Sequence, residues 1–145
     1  MKYISKTFIV GSTYFFKNMP GFQSKDEDIL VFTDCSETFF EISLWFRNNK
    51  QDKFVWKKKS PEEIIYYLNN VSELPMEAGA FLNKEICDFI GFTLEHLKQI
   101  KQVFERIDDK HKYEQIIFDS YIKNEGFFLT DVQLEHAYNE YKKYR

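Results

Sequence analysis

A chain of 145 residues is long enough to bury a real core and short enough to be one compact domain, or a small α/β part with a helical annex. Hydrophobic residues at 43% and charged residues at 30% are ordinary for a globular protein and argue against a disordered chain. A net charge of −3 argues against a polycationic nucleic-acid binder, and no stretch approaches the roughly 20 apolar residues that span a bilayer.

Sixteen Phe and nine Tyr supply core volume and leave some rings for a partner surface or a stacked base. Cys35 and Cys87 form neither a CxxC pair nor a metal-spaced cluster, which fits a reducing interior. Lys2 and Lys6 are followed by no apolar leader core, so the expected location is cytoplasmic. The basic run Lys57-Lys58-Lys59 reads as a solvated edge.

In chain order, Thr7 to Val10 reads as a short strand stopped by Gly11-Ser12. Thr13 to Asn18 follows as a short helix, ended by the turn signal Pro20-Gly21. Ile29 to Thr33 is a continuous apolar run of the kind found in strands covered on both faces. From Thr38 to Arg47 residues alternate, with Phe40, Ile42, Leu44 and Phe46 on one face and Phe39, Glu41, Ser43 and Trp45 on the other. A polar turn at 48–52 and a returning strand from Lys53 to Lys57 would complete a hairpin.

The texture changes near residue 60. Ser60-Pro61-Glu62-Glu63 is a helix start, with Ser at the N-cap, Pro in the first turn and Glu63 reaching back. Ile64, Ile65, Tyr67 and Leu68 follow at helical spacing. A second helix is predicted from Glu77 to Phe89, ended by Gly91. A third is capped by Thr93 and carries Leu94, Leu97, Ile100, Val103, Phe104 and Ile107 on one stripe. Tyr113 to Ile122 is a fourth. Thr130-Asp131-Val132-Gln133 is a capping box for a last helix through Leu134, Ala137, Tyr138 and Tyr141.

The chemistry-bearing residues lie in the first third. The apolar run Phe8-Ile9-Val10 ends in Gly11-Ser12. After thirteen residues, Thr13 to Lys25, the pair Asp26-Glu27-Asp28 opens a second apolar run, Ile29 to Phe32. Residues i and i+2 of a strand share a side, so Asp26 and Asp28 can aim at one point. Two convergent carboxylates beside a glycine turn suit a divalent metal holding a phosphate chain.

This order of pieces resembles the nucleotidyltransferase fold of the polymerase-beta-like superfamily, especially its minimal members. The likeness covers residues 6 to about 46. It implies a small mixed β-sheet of nucleotidyltransferase type in residues 1–60; with the helical pattern that follows, the expectation is an α+β protein whose C-terminal helical annex, residues 61–145, packs on that core as one compact unit. The likeness implies Mg²⁺ held by Asp26, Asp28 and Glu41, with Glu41 completing the metal site or acting as general base. Gly11 and Ser12 would bind the nucleotide phosphates. The implied reaction is transfer of a nucleoside monophosphate from an NTP to an unknown acceptor. The chain departs from the family pattern after Ser12. Thr13-Tyr14-Phe15-Phe16 holds no second glycine, and Lys17 is the first basic residue. The alternative expectation is therefore the same fold without catalysis, an interaction or regulatory module. A homodimer built on the aromatic surplus is a further expectation.

Elsewhere, Arg106 and His111 have an Arg-x4-His spacing resembling the ribonuclease motif of small helical HEPN domains. A helix end also welcomes Arg and His, and that plainer reading is preferred. His96 and His136 have no Cys or His partner at ligand spacing and read as surface helix residues.

Overall fold

Strand β1, Ser5–Val10, alternates between exposed and buried side chains from Thr7 to Val10. Phe8 and Val10 are buried, while Lys6 and Thr7 face solvent. This is the pattern of a strand with one covered face. The computed structural model describes residues 5–23, 28–33, 52–56, 59–71 and 76–144. They form a mixed α+β fold, and the chain divides into two compact units, Met1–Lys59 and Ser60–Arg145.

In the first unit, β1 passes directly into the short helix α1, Gly11–Phe16. The sequence predicts a helix only from Thr13. The difference arises because Gly11 takes a φ of +72°, which turns the chain sharply enough for the helix to begin at the glycine itself. Strand β2, Asp28–Thr33, lies beside β1 in antiparallel register, with Val10 opposite Asp28 and Phe8 opposite Leu30. Ile29 through Thr33 are all buried, as a doubly covered strand requires. Phe8 and Phe32 meet edge to face at 6.0 Å on one side of the sheet.

Strand β3, Asp52–Trp56, pairs with β2 in parallel, giving the order β1-β2-β3. The described part of the predicted returning strand thus joins β2. The other arm of the predicted hairpin, Thr38 to Arg47, lies outside the described residues. Among the described residues no helix is long and apolar enough to cross a membrane.

The second unit is helical. Helix α2, Pro61–Asn70, starts as its sequence dictates: Ser60 Oγ accepts the Glu63 amide at 3.3 Å. The Glu63 carboxylate takes the Ser60 hydroxyl rather than the Ser60 amide, so the reciprocal half of the box is replaced. The predicted helix from Glu77 to Phe89 is two elements. Residues Met76–Leu82 form a 3₁₀ segment, η1; helix α3, Lys84–Ile90, restarts after Asn83. Asn83 is an N-cap, its Oδ1 accepting the Ile86 amide at 3.1 Å, and a capping side chain at that point ends one element and begins the next. Gly91 closes α3.

The long amphipathic stripe from Leu94 to Ile107 is also broken, into α4, Leu94–Lys98, and α5, Lys101–Glu105. The reason is tertiary. The Gln99 carbonyl accepts Asn69 Nδ2 from α2 at 3.2 Å, and the Ile100 amide closes a tighter bond on Leu97. Leu97, Ile100, Val103, Phe104 and Ile107 are nevertheless all buried. A 3₁₀ turn, η2, Asp109–His111, leads into α6, Lys112–Asn124, and α7, Asp131–Lys142, packs against α6. Thr130 and Gln133 form the predicted capping box. The core of this unit includes a stacked pair, Phe104 and Phe118, with ring centroids 4.6 Å apart.

Candidate functional site

Val10 and Asp28 are cross-strand partners at the end of β1 where Gly11 turns the chain. That register sets a carboxylate against a glycine. A Cβ placed on Gly11 would stand 2.8 Å from Asp28 Oδ2 and 3.6 Å from its Cβ and Cγ. Both the positive φ and the carboxylate therefore reserve this position for glycine. Ser12 follows in the first turn of α1, half-buried, as is Asp28. The N-cap position is Val10, which offers no capping side chain, and the first turn of α1 carries no acidic residue of its own.

Three of the five sequence-predicted residues are thus brought together: Gly11, Ser12 and Asp28. Asp26 and Glu41 lie outside the described residues. The sheet adds a residue that sequence reasoning passed over. The parallel register pairs Asp28 with Asp52, the first residue of β3, so Val10, Asp28 and Asp52 form one row across the sheet at the Gly11 end. Asp52 read as the last residue of a polar turn. The available signal was its place two residues before the apolar run Phe54-Val55-Trp56, close to the position of Asp28 before Ile29-Leu30-Val31.

The aromatic run after Ser12 is used in packing. Phe16 is fully buried, Tyr14 and Phe15 meet at 4.8 Å edge to face, and Phe16 lies 6.5 Å from Phe22. Among the described residues no three His, Cys, Asp or Glu side chains converge as a ready-made metal centre. Mg²⁺ does not need one, since it takes one or two carboxylates and completes its shell with substrate phosphates and water. The Asp28 carboxylate, beside a backbone that carries no Cβ, fits that mode of binding.

In the helical unit the remaining candidates resolve structurally. Thr93 caps α4, and His96 Nδ1 accepts the Thr93 amide at 3.0 Å, so this imidazole serves a capping box. His136 and Arg106 are exposed. Cys87 is buried, its Sγ 2.9 Å from the Phe81 carbonyl, and burial pushes its thiol pKa up, away from nucleophilic use. His111 does find a partner that its sequence spacing did not suggest: Glu114, whose Oε1 is 2.9 Å from His111 Nδ1. No protein-family model, no curated protein and no solved structure matches the chain.

Proposed function

We propose that this chain is a Mg²⁺-dependent nucleotidyltransferase, moving a nucleoside monophosphate from an NTP to an acceptor hydroxyl. The observation that carries the reading is the contact of Gly11 with Asp28: a carboxylate that opens one strand meets the glycine turn that closes its antiparallel neighbour. Gly11 keeps the backbone bare where a triphosphate would approach, and Ser12 offers its hydroxyl to phosphate oxygens. Asp28, together with Asp26 two residues earlier, would hold the metal, which when bound offsets the charge on the phosphates and the leaving pyrophosphate. A third carboxylate, Asp52 by register or Glu41 by strand alternation, would take the proton of the attacking hydroxyl. A fold alone does not dictate an activity, so the reading rests on these positions. A second reading, the same fold without catalysis, is favoured by the use of Tyr14, Phe15 and Phe16 in packing where a phosphate-binding turn would continue.

Thermal melting with MgATP and MgGTP separates the two, because a ligand selective for the native state raises apparent stability. The transferase reading expects a rise in Tm of a few degrees, lost in Asp26→Asn with Asp28→Asn, and incorporation of label from an α-labelled NTP. It also expects Asp52→Asn, rather than Glu41→Gln, to abolish turnover if the sheet register supplies the third carboxylate. No shift with any NTP in the presence of Mg²⁺ or Mn²⁺ would leave the interaction module as the reading.

A further inference from the structure

Among the described residues Glu114 is the one charged residue that is buried. It is 6% exposed, and removing a carboxylate from water is paid back only by good partners. Oε1 has His111. Oε2 lies against Gly79 of η1, so closely that a Cβ on that glycine would collide with it. Among the described residues Glu114 has no other hydrogen-bond partner. His111 keeps 25% of its side-chain surface in contact with solvent, so a proton can reach or leave the pair without the core opening.

The element covering Oε2 is tied down at its C-terminal end. At the Leu82 end, Tyr121 donates its hydroxyl to the Leu82 carbonyl at 2.8 Å, Cys87 meets the Phe81 carbonyl, and Asn83 caps α3. Gly79 lies in the middle of this 3₁₀ segment, Met76–Leu82, whose hydrogen bonds have poorer geometry than those of an α-helix. We propose that the Glu114–His111 pair is a proton-gated latch on η1 at Gly79, closed while the pair holds a proton and released when the pair loses it.

With the proton present, the Glu114 carboxyl group is neutral and its burial costs far less. With the proton gone, a buried anion keeps only a neutral donor and is stabilised by rehydration, which requires η1 to lift from α6. Two ionisable groups act on Glu114, with opposite effects. Burial raises its pKa above the ordinary carboxylate value, the His111 hydrogen bond and charge oppose that rise, and the negative charge of Asp108 adds to it. Both neighbours precede α6. Among the described residues no charged side chain of α4, α5 or α7, which also pack near α6, acts on the carboxylate.

Hydrogen–deuterium exchange of the full chain at pH 5.5, 7.0 and 8.5 tests the latch, with each amide corrected for its intrinsic rate. One linked proton allows up to about tenfold per pH unit. Protection at residues 78–80 is expected to fall roughly tenfold overall as pH rises, while the Asn83 to Cys87 amides hold theirs. Glu114→Gln, which keeps an acceptor for His111 but cannot ionise, should remove the pH dependence. His111→Asn, which removes the hydrogen bond and charge that lower the Glu114 pKa, should move the loss of protection to higher pH. Protection that is independent of pH in the unmodified chain, that falls equally over the whole unit, or whose pH dependence survives Glu114→Gln overturns the proposal. Should Glu114→Gln fail to fold, the contrast between residues 78–80 and the Asn83 to Cys87 amides in the unmodified chain decides the matter.

Discussion

Twice in this chain a carboxylate lies against a glycine that has no room for a Cβ: Asp28 on Gly11 in the sheet unit, and Glu114 on Gly79 in the helical unit. The two contacts look alike and are physically opposite. Asp28 is half-buried at the end of a strand, beside a backbone turn at φ +72°. It sits where water, a cation or a phosphate can reach it. Glu114 is sealed beneath η1 and is reached by its proton through His111. The same pairing of residue types leaves one carboxylate open to solvent and closes the other off from it. Solvent access is what separates them.

That contrast can be broken most directly at Gly79. Gly79→Ala forces a methyl group onto a buried carboxylate, and overpacking of this kind should cost the helical unit about 3 kcal/mol in a urea melt. Glu114→Ala removes the obstacle, so the double substitution should be markedly less unstable than the two single costs added together. Strict additivity would mean that the contact is not what reserves the glycine.

Gly11→Ala should cost less, about 2 kcal/mol, and for a different reason: an L-residue is strained at this φ. Because the positive φ remains when the carboxylate is removed, Asp28→Ala should not fully rescue it. A rescue as complete as that expected at Gly79 would show that the two contacts are the same after all. The substitution should also abolish the melting shift with MgATP.

The smallest effect is a pH dependence confined to one unit. Glu114 binds its proton more tightly folded than unfolded, because burial raises its pKa. Its contribution to stability is therefore fully present below the unfolded carboxylate value and is lost as pH rises through the folded one. Glu114→Gln should accordingly melt near the parent at pH 4 and above it at pH 8. A parent that gains stability over that interval relative to the variant would contradict the sign.

Much of the helical unit was legible because helix starts are local. Ser60, Thr93 and Thr130 each place an oxygen within three residues of the amide they cap, and Gly91 stops α3 where it stands. The breaks at Asn83 and Gln99 were not legible. The apolar spacing runs straight through both, and the second break depends on Asn69, thirty residues away. Glu114 carried a signal that went unread: it falls within the apolar stripe Tyr113, Ile117, Phe118 and Tyr121, where a carboxylate must be paired, and His111 stands three residues before it. In the sheet unit the Gly-Ser turn and the apolar run after Asp28 were plain, whereas Asp52 was dismissed as turn.

Residue order alone thus determined the glycine turn, the apolar strands and the helix caps, since each is decided by side chains within about four positions of the backbone they act on. Which carboxylate faces which glycine was settled only by tertiary structure. Strand register places Asp28 on Gly11 and in line with Asp52, and the seating of η1 on α6 places Glu114 on Gly79. Those juxtapositions follow from burying apolar surface across distant segments, and that is a property of the whole fold rather than of any window along the chain.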